Sequence, residues 1–380
     1  MAGARVALLD GSHPREKPCG GGVTARALAV VGDHASAVDT AVAIDSATLS
    51  YGGRTVEVRL DDAGRPPRLG VFPRRDFDAR LVSRAVAAGA ALIRERAIDA
   101  AWANGGWTVY TRPPPTRFAG SGQAASTRSA GSGQVVHAAW IVGADGPTSM
   151  VRKRVSRPFD RADLSIACGH FVHGVTSTRI DLAFEDAPAG YLWSFPRPDH
   201  LAVGICAQAD AASVSTLMPI ADRWIAKNVT GGTLERYSWP IPSLSVAALE
   251  RERPAGNGWM LAGDAAGLVD SITREGIFFA LESGAAAAAS LMEGRNSGGR
   301  YAERLHDTAY RELMLAARIK ARFYRPAFMR LLITALQRSE RIRRILADLV
   351  AGEQPYVTLR SRLLNTMEWK LAMELLLRSR

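Results

Sequence analysis

The segment "GWMLAGDAAGLVD" (258–270) constrains the fold of this chain more than any other. An apolar run reaches Gly263–Asp264 and gives way to small residues that open a helix. A short, wholly apolar strand is buried on both faces, as strands are in a parallel sheet covered by helices. A helix beginning just after it offers unpaired N–H groups and a positive dipole end, which suits a phosphate. Asp264 can accept hydrogen bonds from sugar or ribityl hydroxyls. The plainer alternative is a strand–turn–helix with Asp264 as N-cap. The segment alone does not choose between them.

"IVGADGPTSMVRK" (141–153) repeats the pattern: a strand to Gly143, a turn at Asp145–Gly146, then Arg152 and Lys153. "VVHAAWIVGADG" (135–146) as a whole predicts one strand ending in that turn. "ARVALLD" (4–10) reads as a buried parallel strand ending in Asp10. "RRDFDARLVSRAVAAGAAL" (74–92) predicts a helix stopped at Gly89, with Arg74 just before it. A guanidinium there can fork onto a pyrophosphate or simply face water.

Alternating runs predict a different element type in mid-chain. "ATLSYGGRTVEVRL" (47–60) is a hairpin around Gly52–Gly53. "GWTVYTR" (106–112) is a strand. "SIACGHFVHG", "RIDLAFE", "GYLWSFP" and "HLAVGICA", between 165 and 208, predict an antiparallel sheet with one face open to a ligand. "VSTLMPIADRWIAKNV" (214–229), "EGIFFALESGAAAAASLMEG" (275–294) and nearly all of 301–380 predict helices. "PPPTRFAGSGQAASTRSAGSGQ" (113–134) repeats "AGSGQ" without hydrophobic period and reads as a disordered loop insertion.

At 380 residues and 47% hydrophobic content, the chain can bury the cores of one large or two to three ordinary domains. Its three cysteines, Cys19, Cys168 and Cys206, are scattered. They argue against a disulfide framework and for a reducing cytoplasm. No apolar run is long enough to predict a spanning helix. The net charge is +11, and residues 301–380 hold 16 Lys/Arg against 8 Asp/Glu. That basic end suits either a solvated helical surface or peripheral contact with an anionic membrane. No nucleic-acid module accompanies it.

Taken in order, Asp10, "PREKPCGGG" (14–22), "RRDFD" (74–78), "GADGPTSMVRK" (143–153), and "GDAAG" (263–267) with "REG" (274–276) resemble the geranylgeranyl reductases. These are FAD enzymes of the aromatic-hydroxylase fold. "YLWSFPR" (191–197) resembles that family's Tyr-x-Trp-x-Phe-Pro-Lys signature, with Arg197 in place of Lys. "AGEQPYVTLRSRLL" (351–364) resembles its C-terminal helices. The resemblance covers nearly the whole chain.

The resemblance implies an α/β protein with a discontinuous Rossmann-like FAD domain (1–46, 72–164 and 250–300). An antiparallel substrate domain (47–71 and 165–249) and a helical region (301–380) complete it. It implies that Asp10 meets the adenosine ribose and Arg74 the FAD phosphates. Asp145 and Gly146 would sit on the pyrophosphate side, and Asp264, flanked by Gly263 and Gly267, on the ribityl chain. Cys19, Gly20, Gly21 and Gly22 would lie beside the isoalloxazine ring, and Cys19 or a water near it is the candidate proton carrier. Tyr191, Trp193 and Phe195 would line the substrate tunnel. Such aromatics at spacing two share one strand face, as core residues also do.

The implied reaction is reduction of C=C bonds in an isoprenoid chain or prenyl lipid. NAD(P)H, a ferredoxin or a quinol remains open as electron donor. An FAD monooxygenase or halogenase of related fold, and a non-catalytic lipid-binding relative, are the alternatives. Two departures from the family pattern stand out. A fold of this type opens with a strand and a G-x-G-x-x-G loop. "MAGARVALLD" starts later, so the pattern predicts a truncated or mis-started coding sequence and weak FAD binding. In "DSITREGI" (270–277), Ser271 and Arg274 replace the usual Pro and Gly. Beside Gly276 at the flavin edge, Arg274 would either clash with the ring or stabilise reduced flavin.

Overall fold

Runs that alternate apolar and polar residues build the largest sheet. The computed structural model describes residues 3–32, 41–60, 68–114 and 133–366. Seven strands pair in the order Thr233–Pro242, Leu164–His173, His200–Gln208, Ala189–Pro196, Arg179–Asp186, Ser46–Tyr51 and Arg54–Arg59. All neighbours are antiparallel except Arg179–Asp186 with Ser46–Tyr51, which run parallel. The predicted hairpin thus adds to the edge of the predicted sheet. One face packs on the helix Val214–Asn228 through Leu217, Met218, Ala221 and Ile225. The other face gathers Phe171, Tyr191, Trp193 and Tyr237. Gly204 makes that gathering possible. A Cβ there would stand 2.3 Å from the Trp193 ring and 2.5 Å from the Tyr237 hydroxyl.

The parallel strands form two separate pieces among the described residues. Ala7–Leu9 pairs with Ala91–Ile93, and Ile141–Gly143 pairs with Trp259–Leu261. The first strand is less buried than its sequence predicts. Ala7 is exposed and Leu8 and Leu9 are half-buried, because one neighbour covers only one edge.

The single strand predicted for 135–143 is two. Val135–Ala138 joins Gly106–Arg112 and Arg96–Ala103 in an antiparallel sheet, and Ile141–Gly143 joins the parallel one. The chain changes sheets at Ala139–Trp140, where Trp140 packs into the core beneath the parallel strands.

The helix predicted just after Asp264 is displaced as well. Gly263–Ala266 makes one 3-10 turn, and Gly267 in the left-handed region (φ 72°) ends it. The helix begins only at Ile277 and runs to Met292.

The helical region follows as predicted within the described residues: Ser297–Leu305, a single π turn, Arg311–Phe323, Pro326–Arg338, Glu340–Val350 and Tyr356–Leu364. The apolar stripe of Pro326–Arg338 faces inward. Phe328, Met329, Leu332, Ile333 and Leu336 are buried against Ser46–Tyr51 and Arg54–Arg59. The solvated surface is therefore where the basic charge lies: Arg338, Arg341 and Arg344 are exposed. No helix among the described residues is long and apolar enough to cross a membrane. The "AGSGQ" repeats and residues 367–380 lie outside the described residues.

Candidate active site

One continuous cavity of about 2830 Å³ runs between the parallel strands, the aromatic sheet face and the C-terminal helices. It collects nearly every residue picked out above. Asp10, Cys19, Gly20, Gly21, Gly22 and Arg74 line it. So do Asp145, Gly146, Gly263, Asp264, Arg274 and Gly276, and the aromatic strand contributes Tyr191, Trp193 and Phe195. Gly267 does not. It lies behind the wall, packed on Leu244 and Phe159.

The glycine run answers first to packing. A Cβ on Gly20 or Gly22 would meet the Phe195 ring at 3.2 or 3.1 Å. Gly21 has φ 79°, and a Cβ there would stand 2.5 Å from the Phe72 carbonyl oxygen. Bare backbone lets the loop lie flat on Phe195 and leaves its other side to the cavity. Cys19, half-buried on that loop, accepts a hydrogen bond at Sγ from the Gly21 N–H at 3.3 Å.

Two residues outside the predicted set hold the loop. Arg197 is fully buried; it pairs with Glu16 at 2.8 Å and donates to the Cys19 carbonyl at 2.6 Å. Glu16 also accepts the backbone N–H groups of Arg74 and Arg75, at 3.0 and 3.2 Å. The loop is thereby tied to the first turn of the helix Arg74–Ala87, where a carboxylate suits the helix dipole.

The predicted phosphate-side residues have local partners too. Arg74 forks onto Asp78 at 2.9 Å twice and sits beside the Cys19 thiol, and Lys17 reaches Asp78 at 2.6 Å. Asp145 caps the short helix Met150–Val155 by accepting the Met150 N–H at 2.6 Å. Burial would raise the Asp10 carboxyl, but hydrogen bonds from His13 and Ser12 hold it well below the usual carboxylate range.

Asp264 differs from these. Its carboxylate has no hydrogen-bond partner among the described residues, and burial pushes its pKa up against the opposing charges of Arg74 and Lys17. A buried Arg152 fixes the turn that carries it, donating to the Ala265 carbonyl at 3.1 Å and forking onto Glu252 at 2.8 Å. Arg152 and Glu252 are a hundred residues apart, so no local pattern marks the pair.

The 270–276 loop forms the far wall. Tyr191 donates to the Thr273 carbonyl at 2.6 Å and Tyr324 to the Ile272 carbonyl at 3.1 Å. Asp270 accepts the N–H groups of Ile272 and Thr273. Between them Arg274 holds φ 60°, a left-handed conformation that a non-glycine residue adopts only when its surroundings impose it. Apolar side chains line another part of the cavity: Leu49, Ile180 and Leu182 of the sheet, and Leu332, Leu346, Leu359 and Leu363 of the helices. Among the described residues no group of three His, Cys, Asp or Glu side chains is placed to hold a metal ion.

A family model described as an FAD binding domain matches residues 21–223, more than half of the chain. The chain belongs to the FAD binding domain family. This family member is 26% identical over 310 residues to the chloroplastic geranylgeranyl diphosphate reductase of Nicotiana tabacum. That match covers 78% of the chain and 63% of the tobacco protein, so the chain spans less than two thirds of that relative. It is 26% identical over 316 residues to the menaquinone reductase of Mycolicibacterium smegmatis, covering 77% and 72%. A geranylgeranyl bacteriochlorophyll reductase-like protein from Thermoplasma acidophilum shares the fold, with a TM-score of 0.73, 20% identity and 95% and 98% coverage.

The residues present fit the cofactor of this family. An unpartnered, half-buried carboxylate at Asp264 and a glycine backbone lining the same cavity suit a ribityl-bearing flat ring.

Proposed function

We propose that the protein is an FAD-dependent oxidoreductase that saturates C=C bonds of an isoprenoid chain or prenyl lipid. The observation that carries this reading is the cavity itself. The glycine floor and Asp264 share one space with an aromatic wall and the apolar side chains of a substrate tunnel. Both relatives are named reductases, one of geranylgeranyl diphosphate and the other of menaquinone.

Bound and reduced, FAD supplies a hydride. The chain's own residues do the rest. Asp264 and the glycine backbone seat the cofactor, and Arg74 and Lys17 place positive charge near its phosphates. The tunnel excludes water and holds an extended apolar chain. Tyr191 and Trp193 line the same cavity, and their π-systems suit the positive charge that develops as an isolated alkene takes its proton. Both phenols on the far wall donate to backbone carbonyls, so their protons are engaged. Cys19 is the proton carrier we favour. It lines the cavity beside the Arg74 guanidinium and would give up its thiol proton, which water then restores.

The electron donor, NAD(P)H or a ferredoxin, is a finer part of the reading. So is peripheral contact of the exposed arginines of Glu340–Val350 with anionic lipid.

The test is anaerobic incubation of the dithionite-reduced, FAD-loaded chain with geranylgeranyl and prenyl-lipid substrates, followed by mass spectrometry. Saturated products support the reading. Oxygen-dependent products would assign it to a monooxygenase or halogenase instead.

A further inference from the structure

The turn that carries Asp264 is held by side chains from distant parts of the chain. Tyr301 donates to the Leu261 carbonyl at 2.7 Å, and Tyr310 donates to the Ala266 carbonyl at 3.3 Å. Ser283 Oγ accepts the Gly263 N–H at 2.9 Å, and Arg152 donates to the Ala265 carbonyl at 3.1 Å. None of these four groups bonds to the Asp264 carboxylate among the described residues. The backbone on both sides of Asp264 is fixed, and Asp264 itself lines the cavity.

The two tyrosines could not both do this from a straight helix. Tyr301 lies in the helix Ser297–Leu305, and Tyr310 ends the π turn His306–Tyr310. Nine residues along a regular α-helix make about two and a half turns, which puts two such side chains on opposite faces. The extra residue of a π turn winds the later one back by about 100°. Burial follows that shift: His306, Asp307 and Thr308 are exposed in succession, then Ala309 and Tyr310 are buried in succession. Both tyrosines thereby enter the one core cluster that holds Leu261 and Ala266. Phenylalanine would fill the same core space. The hydroxyls add a grip on the two carbonyls that bracket Asp264.

We propose that Tyr301 and Tyr310 are positioning residues for the cofactor. Aligned by the π turn, they aim the Asp264 carboxylate at the hydroxyl-bearing chain of the flavin. This rests on the reading of Asp264 as part of the FAD seat.

The test is a double-mutant cycle on the full chain, with FAD affinity read by quenching of flavin fluorescence. Tyr301→Phe and Tyr310→Phe are made in the wild type and in Asp264→Ala, and a thermal melt confirms that each variant folds. In the wild type each phenylalanine is expected to weaken FAD binding by about threefold to tenfold. In the Asp264→Ala background the same changes cost nothing further, because the tyrosines act through that carboxylate. A role in core stability alone lowers the melting temperature without this dependence on Asp264.

Equal losses of affinity in both backgrounds, or no loss from either hydroxyl, overturn the proposal and leave the FAD seat standing. If Asp264→Ala binds FAD as tightly as the wild type, the seat itself is refuted and the positioning role falls with it.

Discussion

Arg197 Nη1 lies 2.8 Å from the Glu16 carboxylate, and the same guanidinium reaches the Cys19 carbonyl at 2.6 Å. The strand that supplies the aromatic wall thus also anchors the loop that supplies the cavity floor. His200 completes the clamp, 3.1 Å from Arg197. Burial lowers the His200 pKa despite Asp199, so it is neutral at pH 7 and accepts from the guanidinium.

Arg197→Met leaves the Glu16 carboxylate without its buried partner. The expected loss of stability is about 3–5 kcal/mol, with FAD affinity falling in parallel. Arg197→Lys loses less, because an ammonium reaches one partner but not the full set. Urea denaturation and FAD titration of both variants check this.

Gly21→Ala should destabilise more than Gly53→Ala. Both positions have positive φ, but a Cβ at Gly21 meets the Phe72 carbonyl at 2.5 Å and Arg197 at 2.8 Å, whereas Gly53 faces open space. The turn variant is expected to cost about 1 kcal/mol and the loop variant roughly 1–3 kcal/mol more. Paired thermal melts read the difference.

Asp264→Ala separates binding from folding. The carboxylate has no partner among the described residues and is raised by burial. The FAD-free variant is therefore expected to melt at or above the wild-type temperature. Its FAD affinity falls by at least about tenfold. A drop in stability without a drop in affinity contradicts the assigned role.

Lys320 makes stability depend on alkaline pH. Its folded pKa of about 7 lies below the ordinary 10.5, so between those values the unfolded chain binds the extra proton. Stability then rises with pH across that window, by up to about 1.4 kcal/mol per pH unit. Lys320→Met removes the slope, which melts recorded from pH 7 to 10 would show.

The elements that position the site were legible where the signal is local. The alternation in "GYLWSFP", the glycines of "KPCGGG" and the apolar run into Gly263–Asp264 each mark backbone that the structure places on the cavity. What escaped is held by distant partners. Arg152 with Glu252 and Arg197 with Glu16 carry no spacing signature, because their partners meet only after folding. The helix expected after Asp264 failed for a local reason, the left-handed Gly267. The split at Ala139–Trp140 escaped because both halves are apolar enough to read as one strand. The basic amphipathic tail was ambiguous by composition, and packing against the sheet edge resolved its apolar stripe.

Phe195 touches both halves of the enclosure. Gly20 and Gly22 lie on its ring, and it packs against both the aromatic sheet cluster and the cluster beneath the C-terminal helices. In the proposed reading it stands between the cofactor's floor and the chain's tunnel within the one cavity. A smaller side chain at this position would let the floor sag and the tunnel widen together. The size of one ring therefore sets both how firmly the flat ligand is seated and how bulky a chain fits beside it.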